Sequence, residues 1–181
     1  MAGEAQSGTL EQFTHWATRA GATVEAVDRA VDARAAIAHL VSRLSATRVT
    51  ATLEARPYAP VSALIGGTVT DVADADLGIS VARLAVAETG SVLLGSNRAS
   101  DRVVGMLAYT HVVIVPAAAI VETLDDAAPV LRRLTALGPE QLHYAGFITG
   151  PSRSADIERV ITVGVQGARS LHLIIIRSTE W

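Results

Sequence analysis

Two short runs of this sequence place residues capable of chemistry close together. The first is Ala87-Glu88-Thr89-Gly90-Ser91. Alternation upstream puts Leu84, Val86 and Glu88 on one face, so a carboxylate closes an apolar row. A carboxylate there is costly unless it is paired or stands at an exposed strand end. Two readings stand side by side. The run is the tip of a tight hairpin, with Gly90 supplying the positive φ. Or Glu88 is an acid/base or a nucleophilic carboxylate, with Thr89 and Gly90 beside it at a ligand. The second run is Thr149-Gly150-Pro151-Ser152-Arg153-Ser154-Ala155-Asp156-Ile157-Glu158. Gly150-Pro151 turns the chain after an apolar strand. Ser152 and Ser154 can cap a short helical turn whose N–H groups point outward. With the fork of Arg153 alongside, that turn suits a small carboxylate or phosphate. The plainer alternative is a solvated turn closed by an internal pair of Arg153 with Asp156 or Glu158.

A third run, Gly164-Val165-Gln166-Gly167-Ala168-Arg169, reads as a connection between two apolar strands, with Arg169 as a second cation near the Arg153 loop. The histidines, His15, His39, His111, His143 and His172, never fall at i, i+2 or i, i+4 of one another, so no metal ligand set is expected. His39 falls on a polar helix face. His111 and His172 enter apolar strands, where a satisfied structural histidine is the expectation. Trp16 is expected in the core.

Composition narrows the chemistry further. None of the 181 residues is cysteine, and all 15 cationic residues are arginine. These residues therefore offer no disulfide, thiolate nucleophile or iron–sulfur ligand. They also offer no Walker lysine or Schiff base. A net charge of −3 without a basic stripe argues against nucleic acid. No apolar run approaches the ~20 residues of a membrane span, and the first residues lack the pattern of a secretion signal. A soluble cytoplasmic protein is the expectation. Half of the residues are apolar but only 4% are aromatic, so the core is built from small aliphatic side chains.

The elements that must position these runs follow from periodicity. Residues 1–8 read as a flexible terminus, and residues 9–181 as a single domain. Leu10, Phe13, Trp16 and Ala17 predict a helix over 9–20, ended by Gly21. Val27, Val31, Ile37, Val41 and Leu44 predict a second helix over 24–46. Alternation at Val49, Ala51 and Leu53 predicts a strand, followed by a loop with Pro57 and Pro60. Residues 62–67 form a short apolar segment, and 68–80 read as acidic and turn-rich. Strands are expected at 84–87, 91–94, 111–116, 144–149, 159–165 and 171–177. Helices are expected at 98–109 and from an Asp125 or Asp126 cap to Leu137. The order of helices and strands gives an α/β fold with a mixed sheet.

The runs also carry a resemblance. Residues 76–91, Asp-Leu-Gly-Ile-Ser-Val-Ala-Arg-Leu-Ala-Val-Ala-Glu-Thr-Gly-Ser, resemble a signature stretch of the LUD-domain family, the lactate-utilisation proteins. Ile148 through Glu158, followed by Gly164-Val-Gln-Gly and Leu171-His172, resembles that family's C-terminal signature. The similarity covers roughly residues 76–177 and is strongest to the family's small-subunit branch. It departs at Gln166, Ala168 and Ser154, where relatives often carry histidine, proline and threonine. The resemblance implies a three-layer α/β/α fold similar to that of the sugar-phosphate isomerases and CoA transferases. It implies an accessory, non-redox role in oxidising L-lactate to pyruvate. The iron–sulfur clusters would be carried by partner proteins, with no cofactor on this chain. By position it places Glu88, Thr89, Gly90, Gly150, Ser152, Arg153, Asp156 and Glu158 at a small-anion pocket, with Asn97 and Arg98 adjacent. The rival expectation is a self-sufficient CoA-transferase-like or sugar-phosphate-type enzyme using Glu88.

Overall fold

The apolar run near the C-terminus forms the centre of a parallel sheet. A computed structural model describes residues 2–60, 72–138, 140–142, 144–155, 161–164 and 167–180. Its elements are α1 (Ala2–Arg19), β1 (Thr23–Arg29), α2 (Ala30–Arg43), β2 (Val49–Ala51), a 3-10 turn (Leu53–Tyr58), β3 (Leu77–Val81), β4 (Leu84–Val86), β5 (Ser91–Ser96) and α3 (Ala99–Leu107). There follow β6 (Thr110–Pro116), a second 3-10 turn (Ala117–Ala119), β7 (Ile120–Val121), α4 (Leu124–Thr135), β8 (Tyr144–Ile148), β9 (Arg153–Ala155), β10 (Ile161–Val163) and β11 (Ser170–Ser178). Residues 62–67, Asp156 and Glu158 lie outside the described residues.

The strands divide between sheets. Five form a parallel sheet in the order β1-β11-β6-β3-β2. Four form a mixed sheet in the order β7-β4-β5-β8, and β9 pairs with β10. Strands β6 and β11 are apolar on both faces because both faces are covered. On one side α2 packs Ala30, Ala33, Ile37 and Leu40 against Leu77, Ile79, Val112, Ile114 and Ile174. On the other, α1 and the second sheet bring Phe13, Ala17, Ala85, Val92 and Leu94 onto Val113, Val115, Leu173 and Ile175. Helix α4 covers the outer face of the second sheet at Leu84, Val86 and Leu93 through Ala127 and Leu131. The chain is thus α/β, as its pattern implies, with the strands split between a parallel sheet and a mixed one. Asp76 ties the start of β3 to the start of β2 by accepting the backbone N–H groups of Thr47 (2.8 Å) and Arg48 (2.9 Å). The Arg48 N–H is the main reason that its carboxyl titrates below the usual range.

Several expectations are corrected. The predicted helix over 24–46 is β1 followed by α2. Val24, Val27 and Val31 have helical spacing, but the free edge of β11 captures the first two, with Val24 beside Leu173 and Val27 beside Ile176. A polar, largely exposed strand is stable there because it needs only one neighbour. Residues 77–80, expected within a turn-rich stretch, belong to β3, whose Leu77 and Ile79 face α2 while Gly78 and Ser80 face the other side. Helix α1 starts at Ala2 rather than Thr9. Trp16 is 40% exposed, edge-on to His15 and under the Arg19 guanidinium, because Leu10, Phe13 and Ala17 already fill the buried stripe. Helix α4 is capped by Thr123, whose hydroxyl accepts the Asp126 N–H while Asp126 accepts the Thr123 N–H.

Candidate functional site

Glycine brings both runs onto the last turn of α1. Gly21 has φ +97°, and the Ala22 N–H reaches back to the Ala17 carbonyl, which ends the helix in a left-handed turn. Gly90 (φ +66°) lies flat on that turn, and a Cβ there would collide with the Ala17 backbone. Gly150 (φ +71°) does the same at the Ala20 carbonyl. Strands β5 and β8 are neighbours, so the Ser91 and Thr149 hydroxyls meet at 2.6 Å and join the two runs.

The charged candidates serve helix ends in this geometry. The Arg153 guanidinium donates to the Ala20 carbonyl at 2.6 Å, a cation on the negative end of α1. Glu88 accepts the Leu124 N–H at 2.7 Å, a carboxylate on the positive end of α4. Glu88 is exposed at the end of β4, which resolves the cost of closing an apolar row with a carboxylate. Thr89 differs from these: its Oγ1 is buried and, among the described residues, is the one such side-chain atom without a hydrogen-bond partner. The helical turn expected at Ser152 and Ser154 is absent. Residues 153–155 are β9, paired with β10, and the Ser152 N–H is taken by the Ala168 carbonyl. Backbone pairing leaves that N–H facing protein rather than a ligand. Gly167 packs against Ser152, while Arg169 lies over the Tyr109 ring at 5.8 Å.

A second set of polar groups lies in a cleft between the two sheets. Thr52, Ser80 and Val81 line it where β2 and β3 end, Leu94 and Ser96 line it from β5, and Asp101 and Arg102 from α3. Ser80 and His111 form a polar pair on its inner wall, with Oγ and Nε2 3.0 Å apart. His111 is 1% exposed, and burial pushes its pKa down to about 4, so the ring is neutral near pH 7. It sits against Gly105, where any side chain would strike the imidazole. This matches the expected structural histidine and adds a partner that sequence reading missed. The available signal was the alternation of Leu77 and Ile79 with Gly78 and Ser80. Arg98 lines an adjoining recess with Arg56 and Ser100. Asn97 donates to the Glu140 carbonyl. His172 is half-buried, and burial followed by the nearby Arg43 lowers its pKa. Among the described residues no group of three or more His, Asp or Glu could hold a metal, and no helix is long and apolar enough to cross a membrane.

Comparison with known proteins follows the same outline. The pattern defining the LUD domain matches residues 10–176. The Lactate utilization protein C of Bacillus subtilis (strain 168) is 36% identical over 102 residues, which is 56% of this chain and 42% of that protein. The protein of the same name from Geobacillus thermodenitrificans is 34% identical, over 56% of this chain and 42% of its own length. That from Shouchella clausii is 36% identical over 104 residues, 56% of this chain and 44% of its own. The matches therefore span less than half the length of these relatives. A crystal structure of a DUF162 family protein from Deinococcus radiodurans superposes with a TM-score of 0.68 at 19% identity, covering 95% of this chain and 98% of that one. This superposition shows a shared fold.

Proposed function

The chain belongs to the LUD domain family, and on that premise we propose that it acts in lactate utilisation as an accessory subunit without redox centres. The observation that carries this reading is the similarity to several proteins named Lactate utilization protein C, at 33 to 36% identity over about half of the chain. In this role it binds a small anion while L-lactate is oxidised to pyruvate. The electrons pass to iron–sulfur clusters on partner proteins, since these 181 residues include no cysteine to ligate one. The helix-end contacts of Glu88 and Arg153 support a scaffold role for the two signature runs, which hold α1 and α4 on the second sheet.

Deleting the gene and growing cells on L-lactate or on pyruvate as carbon source tests this directly. The expected result is loss of growth on lactate, normal growth on pyruvate, and rescue by the intact gene. Unimpaired growth on lactate would overturn the proposal. Capture of the tagged protein from lactate-grown cells should recover cysteine-rich iron–sulfur proteins.

A further inference from the structure

We propose that the cleft between the two sheets is the binding site for a small hydroxycarboxylate, with Arg102 as counter-charge to the carboxylate and Ser80 as partner of the hydroxyl. This assignment rests on the small-anion role proposed above and places its cation at Arg102 rather than Arg153.

The position of the cleft in the fold suits a ligand. Ligands of open α/β sheets bind beyond the carboxyl ends of parallel strands, and Thr52 and Val81 mark those ends for β2 and β3. Strands β5 and β8 form the facing wall and α3 one side of a cleft that opens to solvent. The charges around the cleft leave one cation free of an ion pair among the described residues. Arg83 is paired with Glu54 and also donates to the Gly95 carbonyl. Asp101 accepts the Ser96 hydroxyl at 2.9 Å. Arg102 has no ion pair among the described residues. Its guanidinium lies over the Tyr144 ring, 5.1 Å from the centroid. A guanidinium attracted to a ring face by its charge spends no N–H donor on that contact, so its N–H groups stay available to a carboxylate. The Tyr144 ring runs over Gly146, where a Cβ would strike the phenol oxygen.

The hydroxyl specificity has its own basis. Ser80 lines the cleft at 3% exposure, and His111 behind it, at 1%, holds the Ser80 oxygen at 3.0 Å. The neutral imidazole lets Ser80 donate or accept toward a ligand hydroxyl. The carboxylates decide the ligand's charge. Glu54 is paired with Arg83, which leaves Asp101 as the carboxylate of the cleft without an ion pair among the described residues. A dianion such as phosphate would face it, whereas a monoanion can pair with Arg102 and turn its hydroxyl toward Asp101 and Ser80.

Titration of the full chain with L-lactate, glycolate, acetate and inorganic phosphate, followed by calorimetry or ligand-observed NMR, tests the site. Saturable binding of lactate and glycolate is expected, with acetate and phosphate several-fold weaker. Arg102→Ala should weaken hydroxycarboxylate binding about tenfold or more. Ser80→Ala should abolish the preference for glycolate over acetate. Arg102 is exposed, so an unchanged urea midpoint is expected to certify its variant as folded. No saturable hydroxycarboxylate binding, preference for phosphate, or full affinity in folded Arg102→Ala would overturn the proposal. The two proposals separate cleanly. Growth on lactate lost without binding by this chain overturns the cleft site alone. Binding with unimpaired growth overturns the pathway role alone.

Discussion

Arginine and carboxylate side chains occur in two regions of this molecule, and the two regions use them differently. Around the last turn of α1, Arg153 is bound to the Ala20 carbonyl and Glu88 to the Leu124 N–H, so each charge faces the end of one of the chain's own helices. In the cleft, the exposed Arg102 lies over the Tyr144 ring and the buried Ser80 is held by a neutral histidine, so neither is taken up by a helix end. The residue types are the same. What differs is whether an unsatisfied helix terminus lies within reach, because such a terminus takes up the nearest suitable charge.

Substitutions in the first region should therefore change stability, and substitutions in the second should change binding. The largest effect is expected at Gly90. A valine there adds a strained positive φ and a collision with the Ala17 backbone, so Gly90→Val should cost about 3–5 kcal/mol in urea unfolding or prevent folding. Next comes the pH dependence of the cleft's inner wall. With its pKa near 4, folded His111 binds a proton less readily than the unfolded chain does. Stability should fall as pH drops from the ordinary histidine range toward 4, by on the order of 3 kcal/mol from this group. His111→Gln should remove that part of the slope between pH 7 and pH 4.5. A slope unchanged by the substitution would show that the imidazole is not held neutral. Smaller effects belong to the helix ends. Arg153→Ala should cost about 1 kcal/mol, and Glu88→Gln, which keeps an acceptor for the Leu124 N–H, less than about 0.5 kcal/mol. Each is checked by the shift in urea midpoint. A loss of ligand affinity with no loss of stability in either variant would place those residues in a site instead.

Legibility from sequence divides along similar lines. Strands β6 and β11 were readable because both faces are buried, so their apolar runs are continuous. Helix α4 was readable because its first turn is acidic and its last turn basic. The family resemblance, rather than any local pattern, put the two signature runs side by side, and the structure joins them through the Ser91 and Thr149 hydroxyls. Their common target was not. The contact between Gly90 and Ala17 joins segments far apart in the chain, and no local periodicity encodes it. Strand β1 was hidden for a related reason: it has few apolar residues of its own and depends on the edge of β11. Arg102 and Tyr144 were passed over because nothing in either residue's neighbourhood points to the other.

The distinction between the two regions can be tested in one experiment. L-lactate would be titrated into wild-type protein, Arg153→Ala and Arg102→Ala under identical conditions, with the urea midpoint of each measured alongside. The predicted result is wild-type affinity with lowered stability for Arg153→Ala, and affinity reduced about tenfold or more with wild-type stability for Arg102→Ala. Lost affinity in Arg153→Ala together with retained affinity in Arg102→Ala would contradict it.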